Sequence, residues 1–146
     1  MEDTKKLEEI EKAFILDVDA EKEDYTHLIN RVLEYAKVDS SGYVILEGKF
    51  DREMIIKDKI MLILVVRQLA SKLQEKLGRE NTIKPEVSAE ELAKFTKSKK
   101  EVIMARAKDL KDSRKLTADR GIYSVTGHSI KSFLDEMDIK FNNGHI

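Results

Sequence analysis

The sequence contains no cysteine, one proline and six isolated glycines in 146 residues. The absence of cysteine excludes a disulfide framework, thiol catalysis and any cysteine-ligated zinc or iron–sulfur site. The isolated glycines form neither of the common glycine-rich phosphate loops. Histidine is equally sparse: His27, His128 and His145 are scattered, and no His-Glu-x-x-His motif occurs. We therefore expect neither a metal nor a cofactor.

Long hydrophobic runs are also lacking. The longest apolar run, Ile60–Val66, has seven residues and lies between Lys59 and Arg67, whereas a membrane-spanning helix needs roughly 20. The first residues, Met1–Lys12, are highly charged and contain no apolar stretch of the kind that secretory signals carry. These features predict a soluble cytoplasmic protein with no membrane contact, whose apolar runs belong to the core.

Catalytic constellations are absent in the same way. Acidic residues are abundant, but they occur in lysine- and glutamate-rich segments with no apolar pocket that would shift a pKa. No nucleophile can be paired with a general base from the sequence. We therefore expect a protein that binds a partner, not an enzyme.

Charge is distributed unevenly along the chain. Residues 1–24 contain ten acids and four lysines, a net charge of −6, whereas residues 93–121 contain ten bases and four acids, a net charge of +6. Such asymmetry points to nucleic acid as a partner of the basic segment. The alternative is an ordinary solvated surface in a charge-rich protein. The ten bases are Lys94, Lys97, Lys99, Lys100, Arg106, Lys108, Lys111, Arg114, Lys115 and Arg120.

Apolar spacing predicts the elements of the N-terminal third. Spacings of three and four residues predict amphipathic helices over about 4–16 and 28–36. The turn cluster Asp39–Gly42 follows, and the β-favouring residues 43–46 predict a short strand after it.

The strongest apolar helix is predicted over 54–77 and ends at Gly78. Its middle is apolar on nearly every side, so most of its circumference must be covered. We expect a homodimer held by this helix and the N-terminal helices. The alternative is that the N-terminal helices cover it within one subunit.

Two capping signals lie ten residues apart. Ser88 and Glu91 form a Ser-x-x-Glu capping box, and Val87 and Leu92 occupy the positions of a hydrophobic staple. The segment Ser98–Glu101 repeats the Ser-x-x-Glu pattern. One short helix should therefore begin after Ser88 and a second after Ser98, joined by a tight turn as in a helix-turn-helix.

A β-hairpin is predicted directly after the second helix, over about 115–125, with its turn at Asp119–Gly121. A closing helix, capped by Thr126 or Ser129, should follow. The inward-facing residues of that helix are Ile130, Phe133, Leu134 and Met137.

This order of elements resembles the winged helix, and more narrowly the small archaeal winged-helix proteins related to transcription regulators. The resemblance covers roughly residues 40–137. Two positions depart from the usual pattern: Lys97 stands where such turns usually carry glycine, and Lys115 stands where the first wing strand often begins with an apolar residue. The residues that carry the resemblance are Lys57–Ile60, Ser88, Glu91–Ala93, Ile103, Arg106, Asp109–Leu110, Arg120–Gly121, Tyr123, Ile130 and Phe133–Leu134.

The expected fold is therefore mainly α with a small β-hairpin wing, within the α+β class: a winged helix-turn-helix with an N-terminal helical extension. We assign the extension to residues 1–39, the winged-helix domain to 40–138 and a flexible tail to 139–146.

The resemblance implies a DNA-binding protein that regulates transcription, with a recognition helix at about 99–112 in the major groove. Lysines at the start of that helix would contact phosphate, Arg106 is the best candidate for reading a base edge, and Arg120 would reach a neighbouring backbone. The predicted DNA-binding residues are Lys97, Ser98, Lys99, Lys100, Arg106, Lys108 and Arg120.

A second hypothesis is a dimeric winged-helix adaptor that binds protein and does not contact DNA. The apolar helix 54–77 and the acidic N-terminus favour it. A winged-helix fold by itself does not decide between the two functions. Acids within the basic segment, Glu101 and Asp109, also weigh against a strong DNA surface since each repels phosphate.

Overall fold

A computed structural model describes residues 2–14 and 25–141 of the chain. It is mainly helical with two small antiparallel sheets, which confirms the α+β class. The elements are α1 (Glu2–Phe14), α2 (Tyr25–Val32), β1 (Ala36–Val38), β2 (Val44–Leu46), α3 (Gly48–Glu53), α4 (Ile56–Lys76), β3 (Val87–Ser88), α5 (Ala89–Thr96), α6 (Lys100–Asp112), β4 (Leu116–Asp119), β5 (Ile122–Val125) and α7 (Ser129–Phe141).

The first sheet is the hairpin β1–β2, in which Ala36 pairs with Leu46 and Val38 with Val44. Its turn is held by Asp39, whose carboxylate accepts hydrogen bonds from the Ser41 hydroxyl at 2.6 Å and the Ser41 amide at 2.9 Å. The Ser41 hydroxyl is the main reason that the pKa of Asp39 is lowered. The turn cluster predicted from the sequence is therefore correct.

The second sheet has the strand order β3–β5–β4, with both pairs antiparallel. The two longer strands form the hairpin predicted over 115–125. The short strand β3 leads directly into α5, so this sheet fixes the start of α5 against the hairpin. The Ala89 amide donates to the Gly121 carbonyl at 2.9 Å and closes the same junction.

Helix α4 is the centre of the core. Every residue from Ile60 to Arg67 is buried, and α4 contacts α2, both strands of the first sheet, α5, α6 and β5. The middle of α4 is therefore covered within one chain. The expectation that its apolar circumference calls for a second subunit is wrong for this part of the helix, because six other elements of the same chain surround it.

Arg67 is the one charged residue in the buried stretch of α4. Its guanidinium donates to the carbonyls of Lys84 at 2.7 Å, Gly42 at 3.0 Å and Glu86 at 3.2 Å, and it lies 3.4 Å from a carboxylate oxygen of Glu91. These bonds tie the segment between α4 and β3 to the β1–β2 turn. Arg67 thus has a structural role.

Three predicted boundaries in the first half of the chain need correction. The second helix ends at Val32 and not at residue 36, because Ala36 opens strand β1. Met54 caps the short helix α3, which was not predicted, and α4 begins only at Ile56. The domain boundary assigned after residue 39 falls inside the β1–β2 hairpin.

The last helix is longer than predicted. Residues 139–141, assigned to the tail, continue α7 because the Phe141 ring packs on the core. Its centroid lies 5.1 Å from that of Phe50 and 6.4 Å from that of Tyr35. The predicted inward face of this helix, from Ile130 to Met137, is confirmed as buried. Residues 142–146 of the predicted tail, and the end of the predicted helix 4–16, lie outside the described residues.

Within the ranges that the structure describes, no helix is both long and apolar enough to cross a bilayer.

Candidate nucleic-acid interface

The start of α5 is set by the first of the two predicted capping boxes. The Ser88 hydroxyl accepts from the Glu91 amide at 3.1 Å, and the Glu91 carboxylate accepts from the Ser88 amide at 3.4 Å. Val87 and Leu92 are both buried, as a hydrophobic staple requires. This box is confirmed, and it fixes the direction in which α5 leaves the sheet.

The turn between α5 and α6 depends on Lys97, which adopts a left-handed backbone with φ 56° and ψ 38°. The Ser98 amide reaches back to the Ala93 carbonyl at 3.0 Å, and the Lys97 amide to the Lys94 carbonyl at 3.4 Å. This is the Schellman arrangement that ends many helices. The strain expected for a lysine at this position is therefore present, and its side chain is exposed.

The second predicted capping box does not form. Helix α6 begins at Lys100, its N-cap residue is Lys99, and no side chain caps it. Ser98 lies one residue too early, and its hydroxyl donates instead to the Thr96 carbonyl at 3.3 Å. The helix start still falls within two residues of Ser98, but the capping mechanism inferred for it is wrong. The amides of the first turn of α6 are consequently left without a side-chain acceptor.

Lys100 forms an ion pair across the two helices. Its ammonium lies 2.6 Å from the carboxylate of Glu90 in the first turn of α5, and both side chains are largely exposed. The hydrogen bond between them lowers the pKa of Glu90 and raises the pKa of Lys100. One of the predicted phosphate-contacting lysines is therefore engaged within the molecule.

Helix α6 buries one face and exposes the opposite one. Ile103, Ala107 and Leu110 are buried, as predicted. Since successive residues of a helix are about 100° apart, the outermost positions are those half a turn from this face. Two acids, one lysine and one alanine occupy them: Glu101, Ala105, Lys108 and Asp112.

Arg106 and Lys108 do not share a surface, because two residues apart on a helix means about 160° apart in direction. Arg106 lies on the flank nearer α4, where its Nε is 3.5 Å from the carboxylate of Asp109. The same carboxylate is 3.7 Å from the ammonium of Lys57 on α4. Arg106 is thus engaged in an ion pair with Asp109 within the molecule.

Arg120 occupies the tip of the hairpin. Its φ is 53° and that of Gly121 is 77°, and positive φ at both central residues is characteristic of the type I′ turn that joins two strands through two residues. Asparagine or aspartate is the usual residue at the first of these positions. The side chain of Arg120 is exposed.

Arg114 was not among the predicted site residues. It follows α6 with φ 61°, and the bonds from its amide to Lys111 and from the Lys115 amide to Leu110, at 2.9 and 3.0 Å, form a second Schellman arrangement. The sequence did indicate a tight turn near Arg114. The helix stripe stops at Leu110, a strand follows at once, and no glycine stands between them.

All three non-glycine residues with positive φ in the described part of the chain are therefore basic: Lys97, Arg114 and Arg120. Lysine and arginine make up 27 of the 146 residues, so composition alone does not account for three out of three. Each residue is exposed, and each occupies one of the tight turns that bound α5, α6 and the hairpin. Among the described residues they form no ion pair, and neither do Lys99 and Lys108.

The seven predicted residues are only partly brought together. Lys97, Ser98, Lys99 and Lys100 are consecutive at the turn and the start of α6, whereas Arg106 and Lys108 diverge and Arg120 lies on a separate element. No cluster of residues suited to holding a metal ion occurs in residues 2–14 or 25–141. A comparison with protein-family models, curated proteins and solved structures found no match.

Proposed function

We propose that this chain is a winged-helix protein that binds double-stranded DNA and regulates transcription. Helix α6, close to the predicted 99–112, would enter the major groove, and the β4–β5 hairpin would serve as the wing. The observation that carries the proposal is the presence of exposed bases at all three strained turns of this segment.

The physical argument starts from the cost of those turns. A left-handed backbone costs an L-residue with a side chain roughly 1–2 kcal/mol relative to glycine. Strain of this kind persists mostly where function requires it. At each of these turns the chain reverses at the surface, so a cation there projects beyond the neighbouring helices or strands. Phosphate is the ligand that such projecting cations suit best.

The surface of α6 favours contacts with the phosphate backbone over extensive reading of bases. Lys97, Lys99 and the uncapped first turn of α6 supply positive charge at one point. Further along, Glu101 and Asp112 on the outermost face repel phosphate. Base reading falls to Arg106, which would have to leave Asp109 to reach guanine.

The test is a titration of the protein against a mixed duplex, followed by fluorescence anisotropy over a range of salt concentrations. The logarithm of the affinity should fall linearly with the logarithm of salt, with a slope of about −0.9 for each phosphate contacted. Lys99→Glu/Lys100→Glu should weaken binding to all duplexes alike. Lys84→Glu/Lys131→Glu is a matched control, because it changes net charge equally at exposed positions outside residues 93–121.

Arg106→Ala separates base reading from phosphate contact. It should mainly relax sequence preference, by roughly 1–3 kcal/mol at one base pair. The absence of duplex binding by the wild-type protein at low salt would overturn the proposal. Equal binding by the Lys99→Glu/Lys100→Glu variant and the control would overturn it for this surface.

A second candidate is the adaptor, and a specific observation favours it. Val102 and Met104 on α6 and Ile122 on the hairpin are large apolar residues that the chain leaves exposed. Exposed apolar side chains at these positions are suited to contact with another protein. The adaptor requires that duplex binding be absent, and that Lys99→Glu/Lys100→Glu abolish recovery of a protein partner that the Lys84→Glu/Lys131→Glu control still recovers.

We also propose homodimerisation through α4 and the N-terminal helices, because apolar residues at one end of α4 are exposed. The middle of α4 is covered within the chain, but the apolar residues at its C-terminal end are not. Leu73 and Leu77 are exposed there, and so is Leu33, which directly follows α2. A dimer held at this end would place two copies of the α5–α6 segment in one particle, as symmetric DNA sites require.

A further inference from the structure

An apolar groove of about 270 Å³ runs between α2, β1 and the C-terminal half of α4. Leu33 and Leu73 stand on its two sides and are 51% and 42% exposed. The apolar surface continues along α4 to Leu77 and across β2 to Ile45, both exposed. The other lining residues of the groove include Val32 of α2, Lys37 of β1, and Val66 and Leu69 of α4.

Helix α1 carries an apolar stripe whose described side chains, those of residues 4–10, are exposed. Residues 4–10 are all exposed, including Leu7 at 65% and Ile10 at 55%. Phe14 continues the stripe by its spacing in the sequence. A 13-residue helix is marginal in water unless its apolar face packs against something. The stripe has the three- and four-residue spacing with which a helix anchors in an apolar groove.

We propose that the groove is filled by α1 of a second copy of this chain, and that the two copies exchange their α1 helices reciprocally. The inference rests on the proposed homodimer and specifies its contact. Two equal helix-in-groove contacts related by a two-fold axis close the assembly at two subunits.

Charge complementarity supports this occupant. Helix α1 contains five acids and three lysines, a net charge of −2. Lys37 lines the groove. On α4, Lys76 flanks the groove-facing side by helical spacing, whereas Lys72 forms an ion pair with Glu75 at 3.8 Å. An acidic amphipathic helix would thus lay its stripe on apolar residues and its carboxylates beside lysines, which guides the orientation of the contact.

The extent of the apolar surface points to a second copy and not to the same chain's helix. The stripe from Leu7 to Phe14 is about 10 Å long, whereas the α4 face from Val66 to Leu77 is about 17 Å long. One α1 helix therefore leaves Leu77 and the exposed Ile45 of β2 uncovered. A partner subunit brings its own α2–α4 surface along with its α1, and so covers the remainder.

The chain has no cysteine, which permits a clean crosslinking test. Protein carrying Ile10→Cys is mixed with protein carrying Leu73→Cys and oxidised mildly. We expect a disulfide-linked pair of different chains on a non-reducing gel. Lys5→Cys, on the opposite side of α1, should crosslink to Leu73→Cys much more slowly. A double Ile10→Cys/Leu73→Cys chain that crosslinks only to itself at low concentration would overturn the exchange.

Sedimentation equilibrium separates this inference from the homodimer itself. Wild-type protein should be a dimer, and Leu7→Glu/Ile10→Glu should make it a monomer. Lys5→Glu changes net charge by the same amount and should leave the dimer intact. A wild-type monomer at high micromolar concentration would overturn both proposals. A dimer that persists in Leu7→Glu/Ile10→Glu would overturn only the seating of α1. Neither measurement involves DNA, so both are independent of the DNA proposal.

Discussion

Three helices of this protein end in the same backbone arrangement but fill its left-handed position differently. Helix α4 ends with Gly78 at φ 73°, and the Arg79 amide reaches back to the Gln74 carbonyl at 3.0 Å. Helices α5 and α6 end in the same way with Lys97 and Arg114. Glycine is used away from the basic segment, and bases are used inside it.

All three sites have a left-handed backbone, so they differ only in the residue that occupies this position. Glycine adopts this backbone without strain. Lysine or arginine adopts the same backbone at a cost in stability. The basic segment contains three such residues, Lys97, Arg114 and Arg120. We infer that lysine or arginine occupies these turns for its surface charge, although glycine there would give a more stable fold. If so, stability and DNA affinity should respond in opposite directions to glycine at these positions.

The largest expected effect is on DNA binding by Lys97→Gly/Arg114→Gly/Arg120→Gly. If each base contacts one phosphate, the salt slope should become shallower by about 2.7, and affinity at 0.1 M salt should fall on the order of 500-fold. Anisotropy titrations at several salt concentrations measure both. As a control, Gly78→Lys adds a base to the α4 turn and should leave the slope unchanged. An unaltered slope in the triple variant would mean that these turns do not touch phosphate.

The next largest effect is a loss of stability when the glycine turn receives a side chain. Gly78→Ala should lower the free energy of unfolding by roughly 1–2 kcal/mol. The cost is conformational, since a Cβ at this position would meet no atom within 4 Å. Urea denaturation followed by circular dichroism measures it. If Gly78→Ala is as stable as wild type, the comparison between the turns loses its energetic basis.

The reverse substitution should have a smaller effect of opposite sign. Lys97→Gly or Arg114→Gly alone should raise the free energy of unfolding by about 0.5–1 kcal/mol, because relief of the left-handed strain exceeds the entropy that glycine loses on folding. The same urea experiment applies. Lys94→Gly, within α5, is the contrasting control and should destabilise the protein. A loss of stability in both turn variants would contradict the interpretation.

The smallest effect concerns the lysine beside the α5–α6 turn. Because Lys100 lowers the pKa of Glu90 in the folded protein, their pairing contributes stability above the ordinary carboxyl pKa. That contribution is lost as pH falls through the lowered value. Wild-type protein should therefore lose slightly more stability than Glu90→Gln between about pH 5 and pH 3. Denaturation curves across this range should converge at the acid end, and parallel curves would show that the pair contributes nothing.

The features that the sequence predicted correctly are those determined by neighbouring residues. The Ser88–Glu91 box, the glycine stop after α4 and the hairpin at 115–125 each depend on contacts between residues a few positions apart. The residue types that form these contacts can therefore be recognised in the sequence. The turn at Lys97 belongs with them, since helices commonly end with a residue in the left-handed region. Helical spacing alone also determines the divergence of Arg106 and Lys108, although the sequence analysis predicted that both contact DNA.

Other features were decided by contacts between distant parts of the chain. Ala36 became a strand residue because β2 offers it a partner, and residues 139–141 stayed helical because Phe141 reaches Phe50 and Tyr35. The Ser98 box failed because the Lys97 turn placed the helix start one residue later, with Lys99 as the N-cap residue. The sequence by itself thus determined the local elements and the basic segment. Only the tertiary structure decided which apolar faces were covered, because burial depends on the summed shape of all elements. The middle of α4 was enclosed, whereas its C-terminal end, with exposed Leu73, was left beside the groove.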